Sequence, residues 1–141
     1  MTRDQLKQYR KLNQEIEQQQ KVIDSFYRRL ESLPTHMGKV QASEKEWPYI
    51  KRSVTVPMND PAARAHLEKL IAIKEGRVQR ALELREEIEE YIAMIDDPTD
   101  RMIFEGIYID GKTHWQIAES LCTDRSTVSH RIEARLRKDN R

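Results

Sequence analysis

Apolar side chains recur every three or four residues through the first part of the chain. Leu6, Tyr9, Ile16, Ile23, Tyr27 and Leu30 fall on one stripe, with Asn13 and Gln20 interrupting it. No Gly or Pro intervenes before Pro34, so the spacing predicts one long helix with a narrow apolar seam. A polar residue at a seam position fixes register at some cost in stability; the plainer alternative is a weakly packed helix. Leu33-Pro34 ends the pattern, because proline disfavours helical geometry in the residue before it. A second stripe starts after Asn59-Asp60-Pro61, which reads as an N-cap followed by a first-turn proline. It carries Leu67, Leu70, Ile71, Val78, Ala81, Leu82, Ile88, Tyr91, Ile92 and Ile95.

Between the two helices, residues 34–60 lose the helical period. Pro34, Gly38, Pro48 and Pro57 punctuate them, and the stretch reads as a long connection with short apolar anchors in "WPYI" and "VTVP". Trp47 and Tyr49 are either an aromatic contact site or side chains that pack this connection onto the helices. After "DDPTD", where Asp97 or Asp100 can cap and Pro98 suits a first turn, the helices become short. They are expected at about 98–109, 114–121 and 126–138, with Gly111 stopping the first. The expected fold is therefore all-α. Residues 1–97 are expected to form a long antiparallel, coiled-coil-like helical hairpin that serves as the oligomerisation region, and 98–141 a three-helix unit of helix-turn-helix type. Two helices alone bury little surface, so a third helix or a second copy of the chain is expected along the seam, with a dimer favoured.

Composition changes this picture in one place. Charged residues make up 35% of the chain, which suits long exposed helices, yet 25 basic and 24 acidic residues leave a net charge of only +1. The distribution is uneven. Residues 61–97 carry six Lys/Arg against nine Asp/Glu, whereas 125–141 carry six Lys/Arg against two. A basic C-terminal segment on a near-neutral chain points to a polyanionic partner, although cations also suit a helix C-terminus. One cysteine, Cys122, excludes a disulfide framework, and His36, His66, His114 and His130 show no metal-ligand spacing. Neither a leader-like apolar region nor a run near the roughly 20 apolar residues of a membrane span occurs, so a cytoplasmic protein is expected. No Gly-rich phosphate loop, H-E-x-x-H or nucleophile elbow is present, and an enzyme is the least expected class; no cofactor is expected either.

The basic end coincides with the most specific pattern in the chain. Thr113 and Gln116 form a T-x-x-Q capping pattern, and Ile117 and Leu121 give an inner face. Ala118 supplies the small residue that a crossing helix needs. Asp124 is placed to cap the next helix, whose inner face is Val128, Ile132 and Leu136. Arg125, Ser126, Thr127, Ser129, His130 and Arg131 then crowd the outer face and N-terminal end of that helix. Arg131 suits a guanine edge or a phosphate, and Arg135, Arg137 and Lys138 suit backbone phosphate. Cys122 stands where such turns often carry glycine, which implies either a remodelled turn or a first helix extended through Leu121 and Cys122. A small buried hydrophobe is the expected role of its side chain.

The segment "DRMIFEGIYIDGKTHWQIAESLCTDRSTVSHRIEARLRK" resembles region 4 of bacterial sigma factors. Behind a coiled-coil-like N-terminal half, it is similar to phage and prophage regulators of the ArpU/RinA type. The resemblance covers about residues 97–138 and implies that Ser126, Thr127, His130 and Arg131 occupy groove-reading positions. The expected function is that of a phage-type transcriptional regulator binding double-stranded DNA, with RNA polymerase as a further partner. The alternatives are a DNA-packaging adaptor of small-terminase type and a helical interaction protein that binds no DNA.

Overall fold

The computed structural model describes residues 1–33, 35–43 and 51–141, with the backbone alone for 35–43 and 51–59. Its elements are α1 (Arg3–Lys7), α2 (Tyr9–Glu31), β1 (Thr35–Ser43), β2 (Lys51–Asn59), α3 (Pro61–Ala93), α4 (Pro98–Phe104), α5 (His114–Ser120) and α6 (Arg125–Asp139). A π-helical turn, Glu105–Ile109, continues α4. The class is all-α, with one two-stranded hairpin between α2 and α3. No helix among the described residues is long and apolar enough to cross a membrane.

Two compact units divide the chain: residues 1–20 with 77–141, and residues 21–76. The division expected from sequence falls at residue 97; the compact units instead group the last helices with α1, the start of α2 and the end of α3. The reason is a shared core. Leu6, Tyr9 and Leu12 are buried with Ile88, Ile92 and Ile95, and with Ile103, Phe104, Val128 and Ile132. Phe104 is fully buried, with Tyr91 edge-on at 6.3 Å and Tyr108 tilted at 5.6 Å between ring centroids. In this unit α2 and α3 pair antiparallel. The Tyr9 hydroxyl donates to Glu89 at 2.6 Å, and an Arg85 Nη donates to Asn13 Oδ1 at 3.3 Å.

The predicted seam needs amending, and its Tyr27 is exposed. Leu12 joins the core, Gln20 is exposed and lies outside it, and Asn13 is held at its edge by Arg85. The single long helix is broken at Gln8, so its first turns form α1. Thr2 and Gln5 make a reciprocal capping box there, with 3.2 Å and 2.8 Å bonds.

In the unit of residues 21–76, Ile23, Leu67 and Ile71 are buried, and the Tyr27 hydroxyl donates to Glu75 at 2.6 Å. Asp60 caps α3 through the Ala62 and Ala63 amides, with Pro61 in the first turn, as its sequence suggests. The expected connection contains more order than its prolines indicated. β1 and β2 pair antiparallel from Thr35↔Asn59 to Ser43↔Lys51. In a two-stranded sheet both strands are edges, so Pro57 opposite Met37 is tolerated where a central strand would exclude it. The alternation of Val54 and Val56 with Ser53 and Thr55 is the strand signal that the punctuation hid. Trp47 and Tyr49 lie outside the described residues.

At the corner between α3 and α4, Asp97 accepts from the Thr99 and Asp100 amides at 2.8 and 3.2 Å, with Pro98 in the first turn. Arg101 donates to the Ile95 carbonyl at 3.0 and 2.8 Å, which satisfies a carbonyl left open at the end of α3. The predicted helix at 98–109 changes pitch at Glu105, where the widened π turn begins. Gly106 sits in this turn, and a Cβ there would collide with the Ile117 side chain, so glycine lets α5 approach closely. Gly111 follows at φ 72°, the left-handed geometry that ends the segment.

Candidate nucleic-acid interface

α5 and α6 are joined by a short turn whose geometry follows from local hydrogen bonding. Thr113 and Gln116 close the capping box at the start of α5, with bonds of 3.2 and 2.9 Å. At the other end, the Thr123 amide bonds the Ala118 carbonyl at 2.9 Å and the Cys122 amide bonds Glu119 at 3.3 Å. Those two bonds with a left-handed residue between them make a Schellman motif. The left-handed residue is Cys122, at φ 53°. α5 therefore ends at Ser120 with Leu121 as its cap, and neither residue of the Leu121-Cys122 pair extends the helix. Cys122 is exposed, which corrects its expected role as a buried hydrophobe. Asp124 occupies the N-cap position of α6, but its side chain makes no capping bond, contrary to expectation.

Burial sets how α6 is turned about its axis. Val128, Ile132 and Leu136 are buried, as their spacing predicts, against a core that includes Ile117 and Ala118. With about 100° between successive residues, the opposite side of α6 carries Ser126, Thr127, His130 and Arg137. All four are exposed and make no hydrogen bond or ion pair among the described residues. Arg125, at the N-terminal end, and Lys138 are exposed in the same way.

The remaining sequence-predicted residues lie on the flanks and are engaged. Arg131 donates to Asp100 at 2.9 Å and lies 3.7 Å from Asp97, so it ties α6 to the first turn of α4. Arg135 pairs with Asp139 at 3.1 Å, and Asp139 also accepts from the Tyr91 hydroxyl at 2.6 Å. Burial and that carboxylate push the Tyr91 phenol far above its ordinary range. On the other flank, Ser129 Oγ lies 3.0 Å from His114 Nδ1. Partial burial, then the charges of Arg125 and Arg3, hold the His114 imidazole below its ordinary value of 6.5.

Sequence reasoning passed over Trp115, which is 67% exposed beside Arg125 at the edge of the same surface. Its signal was available, since Trp115 lies off the Ile117–Leu121 inner face. No group of His, Cys, Asp and Glu among the described residues could hold a metal ion.

Residues 66–138 match the family described as "Protein of unknown function (DUF1492)". The chain belongs to the DUF1492 family. The DUF1492 segment runs from the first turns of α3 to Lys138 in α6, so it contains the α5–turn–α6 element and every candidate interface residue on it. No curated protein and no solved structure matches the chain.

Two measurements check this geometry. Glycine adopts φ 53° without the Cβ penalty, and the exposed Cys122 side chain packs against little. Cys122→Gly is therefore expected to stabilise the fold by about 1 kcal/mol, read as a higher melting temperature; a lower one would contradict the left-handed turn. His114 has a depressed folded pKa, so its contribution is present above 6.5 and is lost as pH falls below that value. Melting temperature should decline with acidification in that window, and His114→Gln should flatten the decline.

Proposed function

We propose that this DUF1492 protein binds double-stranded DNA sequence-specifically, with α6 entering the major groove, and acts as a transcriptional regulator of phage type. One observation carries the reading. The side of α6 opposite its buried stripe presents Ser126, Thr127, His130 and Arg137 with their polar groups uncommitted. Hydroxyl, imidazole and guanidinium groups of this kind bond base edges and phosphates, and a single helix carrying them fits the groove. The turn supports the same reading: beyond its Schellman closure, α5 and α6 share one core that includes Ala118 and Val128, so the outward face belongs to a braced helix. The resemblance of residues 97–138 to sigma region 4 supplies the regulatory class. Dimerisation through residues 21–76 belongs to the proposal, and the exposed Ile73 and Tyr27 offer apolar surface for it.

Within this reading the roles differ from those expected of the sequence. Arg131 already has carboxylate partners in Asp97 and Asp100, so in this reading it is not one of the base-reading side chains. Ser126, Thr127 and His130 read bases, while Arg125, Arg137 and Lys138 meet phosphates.

Selection of bound duplexes from a random pool tests the proposal. The native chain should enrich a defined sequence, with affinity falling steeply as salt rises. The triple variant Ser126→Ala/Thr127→Ala/His130→Ala should lose on the order of 10-fold or more in affinity for that sequence while keeping helicity and solution mass. Enrichment of the same sequence with unchanged affinity would show that α6 is not the reader.

A further inference from the structure

A cavity of about 410 Å³ opens beside α6 in the unit of residues 1–20 and 77–141. Its floor is apolar, made by Leu6, Ile107, Tyr108 and Ile132. Its rim is basic: Arg3, Lys7 and Arg10 line it together with His114. The three cations are spaced by four and three residues, so they share one face across the α1–α2 break.

This basic face is anchored along α6. The N-terminal amine lies 3.5 Å from Asn140 Oδ1, and Arg3 lies 3.8 Å from Glu133. Glu133 and Ser129 mark one flank of α6, while Arg131 and Arg135 mark the other, where carboxylates already neutralise them. The cations of the first flank are less committed. Lys7 and Arg10 are exposed and make no hydrogen bond or ion pair among the described residues. Among the described residues, Arg3 pairs with the exposed Glu133 at 3.8 Å and also bonds the Tyr108 side chain, so it is the most engaged of the three. Arg10 is also positioned: its guanidinium occupies the space that a Cβ on Gly111 would need, with Cζ 2.5 Å from that point. Glycine at 111 is required by its left-handed backbone; the arginine's flexible end could swing aside from a Cβ. Burial first, then the charge of Arg125 and after it that of Arg3, lowers the His114 pKa, so Arg3 adds a small positive field at this edge of the cavity.

We propose that Arg3, Lys7 and Arg10 form a phosphate clamp, which holds the backbone of the DNA duplex beside the groove that α6 enters. The proposal rests on the DNA-binding reading and adds to it a second contact, made by the opposite end of the chain. Phosphates border the major groove on both sides, so cations beside a groove-bound helix meet one strand's backbone. Such contacts carry no sequence information; they orient the helix and add to the salt dependence. The clamp lies outside the segment matched by the family, which begins at residue 66.

The test uses the full chain and the duplex selected by the native protein. Affinity is measured over a salt series for the native chain, for Lys7→Ala/Arg10→Ala, and for Lys7→Arg/Arg10→Lys. Each lost phosphate contact removes about 0.9 from the slope of log affinity against log salt, so the alanine pair should lower it by about one to two. The selected sequence should stay the same, and the charge-conserving pair should restore the native slope. An unchanged slope in the alanine pair, with the native chain still binding, overturns the clamp and leaves the DNA reading intact. Failure of the native chain to bind any duplex overturns both. Because Arg10 seats against Gly111, the single variant Lys7→Glu at an exposed site guards against misfolding. It should weaken binding and flatten the slope, and native-like salt dependence there also overturns the clamp.

Discussion

Burial of the Val128–Ile132–Leu136 stripe sets the arrangement around α6 in the unit of residues 1–20 and 77–141. Each such side chain contributes about 1.5–3 kcal/mol when taken from water into a packed interior. An exposed ion pair contributes about 0–1 kcal/mol. The half-exposed Arg131–Asp100 pair therefore cannot decide how α6 is rotated; the stripe does, and the pair forms because the rotation brings the partners together. The same rotation presents Ser126, Thr127, His130 and Arg137 to solvent and aims Ser129 at His114. One apolar constraint thus fixes both the candidate face and the polar contacts that flank it.

The core that holds this stripe is assembled from both ends of the sequence. Leu6 and Phe104 are each fully buried in it, and Ile92 and Ile95 come from the end of α3. A helix pair with its turn buries too little to be stable alone. Here α1 and the end of α3 supply the missing surface. That arrangement brings Met1 and Arg3 to Asn140 and Glu133 of α6, and Arg3, Lys7 and Arg10 to the cavity that Ile132 lines.

Local features were readable from the residues. The period of Val128, Ile132 and Leu136, the Thr113–Gln116 capping box and the Asp60-Pro61 start each depend on neighbours within four residues, so spacing alone carries them. What escaped depends on partners far away or on chemistry that mimics another signal. Arg131 looked free because Asp100 lies 31 residues away in sequence. Pro57 and Gly38 hid a hairpin because breakers and edge-strand residues share an alphabet. Asp124 had the right type and position for a side-chain cap, yet makes no such bond. Cys122 was recognised as standing in a glycine's place, and its φ of 53° gives the physical content of that departure: the turn keeps its left-handed geometry and bears the strain.

The central claim is that the outward side of α6 contacts DNA. It is tested most directly by amide and side-chain NMR shifts of the full chain as the selected duplex is added. The largest changes should fall on Ser126, Thr127, His130 and Arg137, with residues 21–76 little affected. Changes confined to residues 21–76, or none in α6 at saturating duplex, would contradict it.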